Sequence, residues 1–222
     1  RKMHVRVIRE TGLTGADEML YPENTAYIED LLSYVAIGAR SVEDQQHRLV
    51  TSGMDCAAGM KNPTSGDFTV MLNSIEAAQR GYTFLYRTYE VETIGNPYAH
   101  AILRGAVNKH GSSLPNYHYE DLILLYNMYK ERDVKNPSLI IDVNHANSNK
   151  DYSQQPRIVH EIMHNRKINT DLTQLIKGVM IESYIESGRQ DLHNHTYGKS
   201  ITDPCLGWDE SEKLIYSIAD IV

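Results

Sequence analysis

The sequence predicts an α/β domain built around a mainly parallel β-sheet. Short apolar runs alternate with segments of helical periodicity, which is the pattern of repeated βα units. The clearest runs are rich in Ile, Val and Leu, as expected for strands that are buried on both faces. The chain has 222 residues, of which 41% are hydrophobic. Because this is enough for one core, we assign residues 1–222 to a single domain.

The predicted elements follow one another in a regular order. Weak strand signals cover 16–20 and 57–61, and stronger signals cover 34–40, 101–104, 139–143 and 178–181. Apolar residues at three- and four-residue spacing predict helices over 68–80 and 117–132. A closing helix is predicted over 209–222, where acidic residues occupy the first turn. The polar interval 83–97 interrupts the alternation and predicts an inserted hairpin.

Composition and charge exclude several classes of protein. The net charge of −7 is unlike the basic footprint of a nucleic-acid-binding protein. No apolar window of about 18 residues is present, so the sequence predicts no membrane span. The two cysteines, Cys56 and Cys205, do not make a disulfide framework. These features predict a protein of the reducing cytoplasm that binds neither nucleic acid nor membrane.

Residues that can bind charge stand at the ends of the apolar runs. In a (β/α)8 barrel the carboxyl ends of the strands meet at one mouth, so we expect such side chains to converge. Cations at these positions suit a phosphate or carboxylate ligand. Histidine and carboxylate donors suit a divalent ion with Lewis-acid character, such as Mn, Zn, Fe or Co. The set consists of Arg40, Lys61, Arg104, His145 and Glu182, followed in a loop by Asp203.

Each of these residues has a simpler interpretation when it is taken alone. An arginine at a strand end is more often an ion-paired surface residue, and Glu182 or Asp203 could cap a helix. The run His193-Asn194-His195 invites a metal interpretation, but its polar surroundings are more typical of a loop. We interpret Cys205 as a small buried residue and His47 as a helix-surface residue. Function is favoured by the joint placement of the six, not by any one of them.

Longer motifs around these residues are more specific. They are 38–48, beginning GAR and ending QHR; 59–62, GMKN; 100–105, HAILRG; 144–150, NHANSNK; 178–183, GVMIES; and 197–208, YGKSITDPCLGW. In these motifs the sequence resembles type I 3-deoxy-D-arabino-heptulosonate 7-phosphate (DAHP) synthase, the first enzyme of the shikimate pathway of aromatic amino acid biosynthesis. The motifs occur in the family's order and cover nearly the whole chain. The resemblance implies an α/β fold of the (β/α)8 TIM-barrel type, with a hairpin insertion around 83–97.

The resemblance assigns a role to individual residues. It implies that phosphoenolpyruvate is bound, through its phosphate and carboxylate, by Gly38, Ala39, Arg40, Lys61, Arg104 and His145. It implies three of the family's four metal ligands: His145, Glu182 and Asp203. Glu18 falls where the family has an acidic residue near the bound substrate, and it could help to orient a water molecule. The implied catalytic set is therefore Lys61, His145 and Glu18.

The implied reaction is an aldol-type condensation of phosphoenolpyruvate with erythrose 4-phosphate. A divalent metal ion (Mn, Fe, Co or Zn) polarises the aldehyde, and C3 of phosphoenolpyruvate attacks it. Water then adds at C2, and inorganic phosphate leaves with cleavage of the C–O bond. The cations hold two mutually repelling anions together, which is a positioning task. The resemblance also implies a homo-oligomer, either a dimer or a tetramer.

The sequence departs from the family at its beginning. The family has a fourth metal ligand, a Cys on the first barrel strand, then an Arg on the second strand and a Lys-Pro-Arg-Thr loop. These residues have no counterpart here, so we expect an incomplete barrel that lacks the first two strands. Three explanations stay open: a fragment of a longer protein, a naturally short paralogue, or a partner chain that supplies the strands. The alternative function is a non-catalytic relative that binds phosphate ligands or a partner synthase.

Two further comparisons follow from the resemblance. The related synthase that uses arabinose 5-phosphate fits the motifs at 100–105 and 197–208 less well. In the DAHP synthase family an aromatic amino acid inhibitor binds near the hairpin and the segment after the third strand. Here Tyr21 and Tyr86 add bulk, and Thr25 replaces a Pro. We therefore expect weak or altered inhibition by phenylalanine and tyrosine, unless these rings turn outward and leave the pocket intact.

Overall fold

The computed structural model describes residues 1–193 and 196–222 and has a mixed α/β fold. In chain order the helices and strands are α1 (Lys2–Thr11), β1 (Gly15–Glu18), α2 (Thr25–Ile28), β2 (Leu32–Ile37), α3 (Gln45–Thr51), β3 (Ala57–Lys61), α4 (Phe68–Ala78), β4 (Thr83–Tyr86), β5 (Tyr89–Glu92), β6 (Ala99–Leu103), β7 (Ala106–Val107), β8 (Ser113–Leu114), α5 (Tyr119–Lys130), β9 (Leu139–Asp142), α6 (Gln155–Ile168), α7 (Thr170–Leu175), β10 (Ile176–Met180), β11 (Glu186–Arg189), β12 (Lys199–Ser200) and α8 (Trp208–Ile221). Short 3-10 helices cover Pro22–Asn24, Glu29–Leu31 and Tyr152–Gln154.

The chain forms two compact units. The first comprises Arg1–Ile102 and Tyr129–Ser138, and the second comprises Leu103–Met128 and Leu139–Val222. The assignment of 1–222 to one domain therefore stays a prediction. Within the described residues, no helix is long and apolar enough to cross a membrane.

The first unit is built on parallel strands in the order β1-β2-β3-β6. Helix α4 supplies apolar side chains that are fully buried, among them Met71, Leu72 and Ile75. Asp67 caps this helix by accepting hydrogen bonds from the backbone N–H groups of Thr69 and Val70. The helix predicted over 68–80 is confirmed, and a strand is present in each region predicted to contain one, although the predicted bounds of β2 differ. Because the strands are parallel, their carboxyl ends emerge at the same edge of the sheet.

Strand β2 ends earlier than predicted. The sequence predicted a strand over 34–40, but β2 stops at Ile37. The carbonyl of Gly38 accepts hydrogen bonds from the backbone N–H groups of Ser41 and Val42 at 2.9 and 3.0 Å, which turns the chain. Arg40 therefore lies in an exposed turn beyond the strand.

The interval 83–97 contains the predicted hairpin. Strands β4 and β5 are antiparallel, and Tyr86 pairs with Tyr89 at the turn. Arg87 adopts a φ of 57° there, a left-handed conformation that tight turns require and that non-glycine residues adopt infrequently. The predicted hairpin is therefore confirmed.

The second unit contains the parallel pair β9 and β10, in which Met180 lies opposite Asp142. Strand β9 buries Leu139 and Ile141 completely. Helix α6, for which the sequence analysis had no prediction, begins with Pro156 near its first position and buries Ile158, Val159 and Ile162. Helix α8 confirms the closing helix and has Asp209 and Glu210 in its first turn.

The prediction that His47 lies on a helix surface is wrong. His47 is in helix α3, but its exposed fraction is only 7%. Its Nδ1 lies 2.6 Å from Asp44 Oδ2 and its Nε2 lies 3.1 Å from the carbonyl oxygen of Met19. Both ring nitrogens thus lie beside an acceptor oxygen, and a hydrogen bond to one of them offsets part of the cost of burying a polar ring. The interpretation of Cys205 as a small buried residue is confirmed, with an exposed fraction of 6%.

We predict that Gly59→Ala destabilises the chain. A Cβ at Gly59, in β3, would lie 2.2 Å from Tyr34 Oη and 2.4 Å from Ile102 Cδ1. Overpacking of this kind costs about 1–3 kcal/mol, to be measured by urea denaturation. The matched control is Gly178→Ala in β10, where the nearest atom, Ile140 Cδ1, lies 3.3 Å away. Equal stabilities of the two variants would contradict the prediction.

Candidate functional site

Three of the predicted site residues come together in the second unit. One donor atom from each of His145, Glu182 and Asp203 lies within 4.8 Å of the others. His145 Nε2 lies 3.9 Å from Glu182 Oε2 and 3.7 Å from Asp203 Oδ2. His145 follows β9, Glu182 follows β10, and Asp203 lies just before α8. One nitrogen donor and two carboxylates at these separations could hold a divalent metal ion.

His145 is held in a fixed orientation by its own loop. Its φ is 53°, a left-handed conformation that is uncommon for residues other than glycine, although Asn, Asp and His adopt it more often than the rest. Its Nδ1 lies 2.8 Å from Oδ2 of Asp142, whose side chain is only 2% exposed. This contact restricts the rotation of the ring. In the tautomer whose proton is on Nδ1, Nε2 can bind a metal ion on the side of the two carboxylates.

The backbone of Glu182 is held by a buried side chain from α6. Gln155, which is fully buried, accepts a hydrogen bond from the Glu182 N–H at 2.8 Å and donates one to the Glu182 carbonyl at 2.9 Å. The N–H of Leu206 also donates to this carbonyl, at 3.0 Å. Burial raises the pKa of Glu182, and a hydrogen bond from Asn144 opposes that rise. These contacts fix the carboxylate in place beyond the end of β10.

A second group of predicted residues lies in the first unit, at the ends of β1, β2 and β3. Lys61 Nζ donates to Glu18 Oε2 at 3.1 Å, although Lys61 is only 6% exposed. Gly38 permits this arrangement, since a Cβ there would lie 2.6 Å from Glu18 Oε1. A buried ammonium group with an adjacent, partly exposed carboxylate is thus built into the edge where the strands end.

Arg40 and Ala39 lie in the turn after Gly38. Arg40 is exposed and has no ion pair or hydrogen bond within the described part of the chain. Its guanidinium group is therefore available to an anion.

Arg104 belongs to the second unit, where it directly follows β6. The backbone on either side of it is fixed by two buried asparagines. The carbonyl of Leu103 accepts from Asn147 Nδ2 at 3.3 Å, and the N–H of Gly105 donates to Asn116 Oδ1 at 2.7 Å. Arg104 could be predicted from its place after an apolar run, but the asparagines that hold its backbone could not. Their burial and their hydrogen bonds are visible only in the structure.

The run His193-Asn194-His195 is outside the described residues at Asn194 and His195. The interpretation of this run as a loop stays a prediction.

Comparison with known proteins decides the family. The family model described as "DAHP synthetase I family" matches residues 2–215. The chain belongs to this family. Phospho-2-dehydro-3-deoxyheptonate aldolase of Haemophilus influenzae is 38% identical over 97% of this chain and 59% of its own length. The Trp-sensitive enzyme of that name from Escherichia coli K12 is 35% identical over 100% of this chain and 63% of its own length.

A solved structure of the same kind is also similar. Phospho-2-dehydro-3-deoxyheptonate aldolase from Francisella tularensis SCHU S4 matches with a TM-score of 0.86 at 35% identity, over 95% of this chain and 61% of that chain. The chain thus spans less than two thirds of the length of these relatives, from 59% to 63%.

In this member of the DAHP synthetase I family, the hairpin contacts the segment Pro22–Asn24. Tyr86 Oη donates to the carbonyl of Pro22 at 2.6 Å, and the Arg87 guanidinium donates to the carbonyl of Glu23. Burial raises the pKa of the Tyr86 hydroxyl. Tyr21 is 65% exposed, which agrees with the alternative that its ring turns outward. Of these two tyrosines, Tyr86 is therefore the one that adds bulk beside this segment.

We predict that the full-length protein binds phenylalanine and tyrosine weakly. A ligand ring would have to displace the Tyr86 ring and break its hydrogen bond to Pro22, which adds a cost to binding. Calorimetry with each amino acid measures this, and Tyr86→Ala is expected to bind more tightly than Tyr89→Ala. Tyr89 is the control because it lies on the same hairpin and is 72% exposed. Micromolar binding by the unsubstituted protein would show that Tyr86 leaves the pocket open.

Proposed function

We propose that this chain carries metal-binding and substrate-binding residues of a 3-deoxy-7-phosphoheptulonate synthase, which condenses phosphoenolpyruvate with erythrose 4-phosphate. The observation that carries the proposal is the cluster of His145, Glu182 and Asp203, whose donor atoms lie within 4.8 Å of one another in a chain of this family. The proposed fold is a (β/α)8 barrel of which the chain supplies the strands from the third onward. A homo-oligomeric assembly and a cytoplasmic location are part of the same proposal.

The residues fit a divalent metal ion. His145 Nδ1 contacts Asp142, and Nε2 lies on the side of Glu182 and Asp203, whose carboxylates would supply negative charge. In the tautomer whose proton is on Nδ1, Nε2 is a neutral nitrogen donor. Nitrogen and oxygen donors of this kind suit Mn, Fe, Co or Zn. A metal ion bound here would supply Lewis acidity toward an aldehyde oxygen.

The cations of the chain bind and orient the anionic substrate. In the first unit Lys61 offers a buried point charge, while Arg40 offers an exposed planar fork. In the second unit Arg104 offers another guanidinium, on a backbone fixed by Asn116 and Asn147. Backbone N–H groups around Gly38 and Ala39 add donors for phosphate oxygens. In each unit such groups can bind the phosphate or the carboxylate of phosphoenolpyruvate, and a bound anion is then held in a fixed orientation.

Glu18 is proposed to orient the water that adds to C2 of phosphoenolpyruvate. Its Oε2 is engaged by Lys61, but a carboxylate has about four acceptor positions, so further positions remain for a water proton. Glu18 is exposed, whereas Lys61 is buried, so water can reach the carboxylate. The carboxylate can then accept a proton as water adds.

We predict that the chain binds Mn²⁺ through His145. His145→Ala removes the nitrogen donor, so the affinity should fall at least about tenfold, as measured by calorimetry or by the electron paramagnetic resonance signal of free Mn²⁺. The matched control is His118→Ala, in the same unit, where the ring pairs with Glu161 at 2.7 Å. Equal Mn²⁺ affinity in the two variants would contradict the assignment of His145 as a metal ligand.

We predict that the 222-residue chain alone turns over slowly. The fourth metal ligand and the Lys-Pro-Arg-Thr loop that the resemblance implies have no counterpart in it. Consumption of phosphoenolpyruvate with erythrose 4-phosphate and Mn²⁺ should stay well below about 1 per second. Turnover at that rate or above would contradict the prediction.

The proposed function itself is tested on the protein encoded by the complete gene. That protein should consume phosphoenolpyruvate only when erythrose 4-phosphate and a divalent metal are both present, and Lys61→Ala should lower the rate at least about a hundredfold. Binding of phosphoenolpyruvate without turnover in that protein would instead support the non-catalytic relative.

A further inference from the structure

Asn144 touches the loop segments that carry the proposed metal ligands. It directly precedes His145 in the chain and is only 1% exposed. Its Nδ2 donates to Glu182 Oε2 at 2.7 Å and to the carbonyl of Pro204, the residue after Asp203, at 3.3 Å. One amide group thus joins three segments that are far apart in the sequence.

The chemistry of its neighbours fixes which way this amide points. An ionised carboxylate and a backbone carbonyl can only accept hydrogen bonds, so Nδ2 must face Glu182 and Pro204. On the other side, the hydroxyl of Ser148 donates to Asn144 Oδ1 at 2.7 Å. Ser148 is 3% exposed and follows one turn later in the same loop. A rotation of the amide by half a turn would break all three contacts.

The backbone of Asn144 is held as well. Its N–H donates to Asp142 Oδ1 at 3.1 Å, while Asp142 Oδ2 contacts His145 Nδ1 at 2.8 Å. The same carboxylate therefore fixes the start of the loop and the ring of the histidine. Asn144 therefore contacts both carboxylates: its backbone N–H donates to Asp142, and its side-chain amide donates to Glu182.

We propose that Asn144 is the positioning residue of the metal centre, and that Ser148 orients its amide. The inference rests on the proposed function, because it assumes that His145, Glu182 and Asp203 hold the metal. A carboxylate has about four acceptor positions, so Glu182 can keep the hydrogen bond from Asn144 while it binds an ion. The amide restricts the Glu182 side chain before the ion arrives, which lowers the ordering cost of binding. The contact of Asn144 with Pro204 restricts the segment that carries Asp203 in the same way.

The test is the Mn²⁺ affinity of Asn144→Ala in the 222-residue chain. Loss of a residue that orients metal ligands is expected to weaken binding about 10- to 100-fold. The visible spectrum of bound Co²⁺ is recorded at saturation, since it reports coordination geometry and should change in this variant. A merely structural role would lower the thermal midpoint of the metal-free protein and leave the Co²⁺ spectrum of the folded protein unchanged.

Two further variants make the result decisive. Ser148→Ala releases the amide and should weaken Mn²⁺ binding in the same direction but less, and it decides the matter if Asn144→Ala does not fold. Asn165→Ala is the matched control, because Asn165 is a buried asparagine of α6 whose Nδ2 has no partner within the described chain. It should bind Mn²⁺ like the unsubstituted chain.

The outcomes separate this inference from the proposed function. If folded Asn144→Ala and Ser148→Ala bind Mn²⁺ like the unsubstituted chain, while His145→Ala does not, the inference is overturned and the metal centre stands. If the unsubstituted chain and His145→Ala bind Mn²⁺ equally, the metal centre fails and the inference fails with it.

Discussion

The register between β9 and β10 is the constraint on which the candidate metal site depends. Met180 lies opposite Asp142, and the N–H of Val143 donates to the Met180 carbonyl at 3.0 Å, which extends the pairing to the strand ends. Because the strands are parallel, the residues that follow them leave the sheet at one edge. A slip of one residue would exchange the side chains on the two faces of β9 and carry its ligand-bearing loop away from Glu182. The packing of apolar residues in the core thus sets the separation of polar groups at the edge.

Much of this arrangement could be predicted from the sequence, for a physical reason. Buried parallel strands must be apolar, so the run at 139–143 stands out, whereas the signal at 57–61 is weaker. Residues at or just after the end of such a run lie where the strand leaves the sheet. The predicted bounds of β3 agree with Ala57–Lys61. The end of β2 could not be predicted in this way, because the strand is ended by hydrogen bonds to the Gly38 carbonyl and not by a change in hydrophobicity. Helix α6 was not predicted, and polar residues such as Gln155 and Asn165, which are buried in it, interrupt the apolar pattern of its buried face.

More of the chemistry of the candidate site than of its geometry could be predicted from the sequence. A histidine and carboxylates that are placed together after strand ends favour a metal site by the kind of donor atoms they offer. The residues that aim them are harder to find, because their partners are distant in the sequence and their types are common in turns. Gln155 pairs with the backbone of Glu182, which no spacing rule anticipates. The left-handed φ of His145, 53°, likewise comes from the loop as a whole, and such conformations persist only where the surrounding structure enforces them.

The proposed anion-binding residues of the first unit include a buried cation, Lys61, beside a carboxylate, Glu18. A buried ammonium group needs a counter-charge to offset the cost of its desolvation. Glu18 supplies that charge at 3.1 Å while its own side chain stays 41% exposed. The acidic partner is the more hydrated of the two, so an incoming phosphate can take over contacts with Lys61 at modest cost. In a chain whose net charge is −7, a positive field for the proposed anionic substrate must be made locally in this way.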